Sequence, residues 1–163
     1  MVEHGEEGHV LTTVSMAGLL PGAGTYGVSK HAVMALTEAL RRDLISRQTK
    51  INTSVLCPGF VDTNIDKSER NRPSYLGDAR ETTNEIGAEI MSAMLRQGKK
   101  PDEIAEIVLE AIKKNIFYIL SHPAWDDSLR SHFDNILSRK EIVPNSEEEM
   151  AKFFSPREDG EKY

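Results

Sequence analysis

The sequence predicts an α/β fold, a parallel sheet with helices on both faces. Two observations predict it: short β-branched runs alternate with longer runs of helical period, and their order is strand, long helix, strand, helices, strand, helix. That order is how βαβ units build a parallel sheet.

The first strand is His9-Val10-Leu11-Thr12-Thr13-Val14, β-branched and closed by small residues. From about Thr25 to Arg47 the period turns helical, with Val28, Ala32, Ala35, Leu36, Ala39, Leu40 and Leu44 expected on the inward stripe. Glu38 and Arg42, four apart, can pair on the wet side. Ile51 to Leu56 is the second strand, stopped by Cys57-Pro58-Gly59. Residues 60–78 are polar and rich in turn formers, a long loop of the kind that serves as a functional lid or stays disordered. A helix is expected from about Ala79 to Gln97, with Ile86, Ile90, Met91, Met94 and Leu95 inward and Gly98 as its stop. Pro101 opens the next helix, with Asp102 and Glu103 at its positive end. Ile104, Ile107, Val108, Ala111 and Ile112 fit the helical template throughout. Phe117 to Leu120 is the third strand, and Trp125, Leu129, Phe133, Ile136 and Leu137 mark a last amphipathic helix. The remainder, 140–163, is a charged tail in which Ser146 and Glu149 can form a capping box before Phe153-Phe154. Residues 1–139 are thus expected to form one domain, with lid loop and helix at about 60–98.

The 163 residues carry 20 Lys and Arg against 26 Asp and Glu, for a net charge of -6. That balance excludes a general nucleic-acid binder, which needs clustered positive charge. No apolar run approaches the ~20 residues that span a bilayer, so no membrane partner is expected. A single cysteine, Cys57, cannot form an internal disulfide, which suits a reducing, cytoplasmic setting. The five histidines show no metal-ligand spacing, so no metal site is expected. Trp125 and the methionines read as core, and Cys57 as a small buried apolar group.

Ligands in open parallel sheets bind beyond the carboxyl ends of the strands. Two segments are placed there. Ser15-Met16-Ala17-Gly18 follows the first strand and leads to Tyr26-Gly27-Val28-Ser29-Lys30 at the opening of the long helix; Pro58-Gly59-Phe60-Val61-Asp62-Thr63 follows the second strand. Tyr26 and Lys30 are four apart and share a helix face. A free phenol titrates near 10, and a neighbouring ammonium favours the phenolate, so the pair can act as a general acid or base. Taken singly, Tyr26 reads as an amphipathic aromatic at a helix start and Lys30 as a solvated charge.

Together, Ser15, the Tyr26-x-x-x-Lys30 pair and the later Pro58-Gly59 motif, in this order and with these intervening elements, resemble the short-chain dehydrogenase/reductase family. The resemblance covers roughly residues 8–125. It implies a Rossmann-like domain and an oxidoreductase that moves hydride between NAD or NADP and a small carbonyl or alcohol substrate. It implies Tyr26 as the proton donor or acceptor, Lys30 as holder of the nicotinamide ribose, and Ser15 as hydrogen-bond donor to the substrate oxygen. Pro58, Gly59 and Val61 would line the nicotinamide, with Thr63 near its carboxamide or the phosphates. Residues 64–98 would form the variable substrate lid, and the enzyme would be a homo-oligomer. The Ser15–Tyr26 interval of eleven is slightly shorter than is common in the family. The family's Gly-rich strand-to-helix turn and its Asn-Asn-Ala-Gly segment have no match in these residues. Such a turn cradles the cofactor pyrophosphate, so the residues look like the C-terminal half of an enzyme, without the N-terminal βαβ half. The competing expectation is a non-catalytic remnant or interaction module that keeps this half of the fold.

Overall fold

A computed structural model describes residues 1–77 and 85–142. The capping box at Ser146 and Glu149 and most of the charged tail lie outside them. The described chain forms two compact units: Met1–Gly59 with the residues from Ile107 onward, and Phe60–Glu106.

The first unit holds a three-stranded parallel sheet, with β1 (Gly8–Thr13), β2 (Ile51–Leu56) and β3 (Tyr118–Ile119) in that order. β1 and β2 run in register from Gly8 opposite Ile51 to Thr13 opposite Leu56, and β3 pairs Val55 with Tyr118 and Leu56 with Ile119. Along β2, Ile51, Thr53 and Val55 point one way and Ser54 and Leu56 the other, and all five are buried. A strand buried at successive residues is covered on both faces, which is why its sequence shows little alternation.

Helix α1 (Gly24–Ser46) covers the Val55 face. Its Met34 joins Val14, Met16, Leu20, Val55 and Cys57 in the core, and the Tyr118 hydroxyl on the same face donates to the Glu38 carboxylate at 2.8 Å. Burial and that carboxylate push the Tyr118 phenol up. Glu38 also meets Arg42 at 3.8 Å, the expected pair.

The inward stripe of α1 matches the expected one only towards its end, where Leu44 is buried and Leu40 half-buried. Gly27, Met34, Thr37 and Leu44 are buried, whereas Val28 and Leu36 are 72% and 69% exposed. Thr37 tolerates burial because its hydroxyl donates to the Val33 carbonyl at 2.8 Å. The helix therefore has two apolar stripes, and the sheet takes the one with Met34 and Leu44, with Val33 and Leu40 half-buried beside them.

Helix α3 (Pro101–Lys113) buries Ile104 and Ala111 and half-buries Ile107, Val108 and Ile112, as its period demands. In α2 (Glu85–Arg96) Leu95 is buried, but Ile90 and Met91 are exposed, contrary to expectation. In α4 (Asp126–Leu137) Leu129 packs on the core with Trp125 just before it, while Phe133, Ile136 and Leu137 are exposed.

Candidate active site

The carboxyl ends of β1 and β2 are locked together by backbone hydrogen bonds that continue the ladder. Val14 N–H donates to Leu56 O at 2.8 Å, and Met16 N–H donates to Pro58 O at 2.9 Å. Between them, the Ser15 N–H donates to the sulfur of Cys57. Cys57 is fully buried, and burial pushes its thiol up to about 12, so it packs as a neutral group. The Ser15 Oγ accepts the Ala17 N–H at 3.1 Å, capping the short turn Met16–Gly18. As an acceptor there, the hydroxyl keeps its hydrogen for another partner.

Tyr26 and Lys30 are delivered by the turn that opens α1. Gly22, Ala23 and Gly24 all have left-handed backbone, with φ of 100°, 56° and 52°. The turn then folds so closely on the helix that a Cβ at Gly27 would stand 2.3 Å from the Gly22 carbonyl oxygen. Only glycine fits between Tyr26 and Val28. From the next turn, the Lys30 Nζ donates to the Thr13 carbonyl at 3.3 Å, the last residue of β1, and lies 5.6 Å from the centroid of the Tyr26 ring. An ammonium at that distance from an aromatic face is attracted to it. Lys30 is thus tied both to the strand end and to Tyr26, and an ammonium has further N–H donors to offer. Tyr26 itself is 45% exposed.

Across the ladder, Gly59 N–H donates to His122 Nδ1 at 3.0 Å. The His122 and Trp125 rings press against Gly59, at 3.0 and 3.2 Å from where a Cβ would stand. His122 and Trp125 carry no motif and were not among the expected site residues. The available signal was positional: both follow β3, the strand next to β2.

Val61, Asp62 and Thr63 belong to the second unit and are half-buried there. Val61 bridges Lys99 in parallel, with Asp62 N–H donating to Lys99 O at 2.9 Å. The Asp62 carboxylate accepts from Lys100 Nζ at 2.6 Å and from Arg96 at 3.4 Å. The Lys100 hydrogen bond above all, with the nearby positive charge, holds the Asp62 carboxyl below its ordinary value. A depressed carboxyl stabilises the fold above its unfolded pKa, and that contribution disappears as pH falls through the folded value. The Asp62 and Lys99 amides should therefore exchange slowly at neutral pH, and that protection should be lost only as pH falls through the folded Asp62 value, below the ordinary carboxylate range. Asp62→Asn should show the fast exchange at every pH.

His9 Nε2 lies 2.8 Å from Ser54 Oγ, which resembles a base–nucleophile pair. Ser54 donates its hydrogen to Ile116 O at 2.6 Å, so His9 must be the donor to Ser54. The pair is a structural tie between strands.

The family model for short chain dehydrogenases matches residues 1–74. A CLA biosynthesis dehydrogenase/reductase from Lactiplantibacillus plantarum is 31% identical over 145 residues, covering 85% of this chain and 51% of that protein. The crystal structure of a short-chain dehydrogenase/reductase from Burkholderia phymatum in complex with NAD superimposes with a TM-score of 0.82 at 36% identity, covering 90% of this chain and 54% of that one. The chain belongs to the short-chain dehydrogenase/reductase family. A 1-deoxy-11-beta-hydroxypentalenate dehydrogenase from Streptomyces exfoliatus is 32% identical over 91% of the chain and 48% of that protein. This short-chain dehydrogenase sequence thus spans about half the length of the curated relatives it matches. Its parallel sheet with packed helices is the corresponding part of a Rossmann-like fold.

Proposed function

We propose that this short-chain dehydrogenase chain provides the catalytic part of an oxidoreductase that uses NAD or NADP and a small carbonyl or alcohol substrate. The observation that carries this reading is Lys30, tied to the end of β1 through Thr13 O and set over the Tyr26 ring. The donor set fits a nicotinamide nucleoside: an ammonium for ribose hydroxyls and a phenol and a hydroxyl for a reacting oxygen. The cofactor, when bound, supplies or takes up the hydride. In the reducing direction Tyr26 Oη gives its proton to the carbonyl oxygen, Lys30 stabilises the phenolate left behind, and Ser15 Oγ–H donates to that same oxygen. In the oxidising direction the Tyr26 phenolate takes the alcohol proton. Pro58, Gly59 and Val61 would border the nicotinamide, and Thr63 its carboxamide or the phosphates. The NAD complex of the Burkholderia phymatum relative supports a nicotinamide cofactor of this class.

Residues 60–98 would select the substrate: on the second unit Ile65, Tyr75 and Leu76 are exposed although the surrounding segment is polar. The second reading, a binding module without catalysis, is favoured by the lack of a Gly-x-Gly-x-x-Gly turn in these residues. One experiment separates the two. The 163 residues joined behind the Gly-rich βαβ unit of a relative should consume NADH or NADPH when offered a panel of ketones and aldehydes. A fusion that folds and binds cofactor yet turns over none of them supports the binding module.

A homo-oligomer belongs to the same proposal, and so does a cytoplasmic setting with Cys57 reduced. Val28 and Leu36 lie on the outer stripe of α1 with Ala32, Ala35 and Ala39, all exposed. Leu11 is exposed on β1, whose other edge has no strand among the described residues. Edges of that kind pair with other chains. Light scattering on the purified chain should report a dimer or larger, and Leu36→Glu should lower the mass. A monodisperse monomer would refute it.

A further inference from the structure

We propose that His122 is a positioning residue for the Pro58–Gly59 turn, and that it holds the turn only as the neutral imidazole with its hydrogen on Nε2. The functional consequence rests on the cofactor site proposed above; the hydrogen bond itself does not.

A backbone N–H can only donate, so the 3.0 Å contact from Gly59 N–H requires an unprotonated Nδ1 on His122. The Ser121 Oγ lies 3.0 Å from the same Nδ1 and is fully buried, adding a second group arranged around that lone pair. The ring is aimed by its backbone. Ser121 is buried two residues beyond β3, Pro123 starts a tight turn, and Trp125 N–H donates to His122 O at 3.0 Å. His122 and Trp125 then form a wall close against Gly59, and a Cβ there, at 3.0 Å from the imidazole, would have to push the rings back. The same turn presents Pro58 O to Met16 N–H, next to Ser15. Through one nitrogen, His122 therefore sets the backbone that joins the serine segment to the glycine proposed to border the nicotinamide.

A second proton on the ring takes Nδ1 as its site and replaces the acceptor with a donor facing another donor. Two N–H groups then oppose each other, and the turn moves away. The titratable side chains on the elements around the ring are few. Cys57 on the second strand stays a neutral thiol, and Asp126 and Asp127 open α4 directly after the turn. Arg130 follows one turn later on the same helix, and the turn should loosen as pH falls and the ring takes its second proton.

Long-range proton–nitrogen correlation spectra of the full chain test the bond. The expected result is an unprotonated Nδ1 on His122 at neutral pH, with the Gly59 amide shifting in step with the His122 titration. A protonated Nδ1 at neutral pH, or a Gly59 amide that ignores that titration, would overturn the proposal. Two variants test the consequence. His122→Asn places an amide oxygen where Nδ1 stood and cannot take a proton in this range, whereas His122→Leu offers no acceptor. With NADH as the probe and the fusion behind a relative's Gly-rich βαβ unit as host, His122→Leu should weaken binding about tenfold. His122→Asn should bind like the parent and lose the fall in affinity at acidic pH. Parent-like binding by His122→Leu, or an unchanged acid limb in His122→Asn, would overturn the positioning role. A parent chain that shows the bond but no NADH effect at all would strike at the proposed cofactor site and leave the His122–Gly59 contact standing.

Discussion

Tyr26→Phe should lower carbonyl reduction by about 10²–10⁴-fold, the usual range for a positioned proton donor, while cofactor still binds. The substitution removes one oxygen and leaves the ring, so the approach of Lys30 Nζ to its face, at 5.6 Å from the centroid, is kept. The helix start is also kept, because its geometry is set by the turn at Gly22–Gly24 and by the bare Cα of Gly27. A loss of turnover with unchanged cofactor affinity then isolates the proton. The measurement is the rate of NADH or NADPH consumption by the fusion enzyme with its best carbonyl substrate. Parent-like turnover by Tyr26→Phe would remove Tyr26 from the reaction.

Lys30→Ala should damage two quantities at once. The ammonium is proposed to hold the ribose hydroxyls and to stabilise the Tyr26 phenolate, so the cofactor Kd should rise and kcat should fall. Hydrogen bonds to charged groups are worth roughly 1.5–3 kcal/mol, which corresponds to about 10- to 150-fold in Kd. Lys30→Arg separates the roles: it keeps the charge but replaces a compact ammonium by a planar fork. It should recover part of the affinity and less of the rate. A fall in kcat with an unchanged Kd would show that Lys30 does not touch the ribose.

Much of the sheet was legible in the sequence because strand ends carry chemical punctuation. β2 has the expected bounds, since Ile51 follows a turn and Cys57-Pro58 stops the run. β1 is shifted by one residue, from Gly8 to Thr13. β3 is shorter than the four residues expected: Tyr118 and Ile119 stand in register opposite β2, while Phe117 only accepts a hydrogen bond from Val55 N–H at 2.7 Å. The inward stripe of α1 was not legible. A helix with apolar residues on two faces gives a period but no choice of face: Leu44 turned inward as expected, but at the start and middle of the helix the choice fell to Gly27, Met34 and Thr37. Ile90 and Met91 in α2 fail for the same reason.

The site shows the same division. Ser15 and Pro58–Gly59 were placed at neighbouring strand ends by order alone, and the ladder from Val14 to Met16 joins those segments. The pairing of Tyr26 with Lys30 followed from helical spacing. His122 could not be found that way. Its partner Gly59 is 63 residues away, and the contact exists only because β2 and β3 are adjacent and in this register. The anchoring of Lys30 on the Thr13 carbonyl was hidden too, since a main-chain acceptor has no residue signature.

The carboxyl ends of β1 and β2, with the first turn of α1, are proposed to receive a nicotinamide ring. Nuclear Overhauser contacts from bound NADH in the fusion enzyme test it most directly. Cross-peaks are expected from the nicotinamide protons to the Gly59 α-protons and the Tyr26 ring, with loss of both in Lys30→Ala at the same NADH concentration. Saturable NADH binding with its nicotinamide protons in contact with neither residue would contradict it.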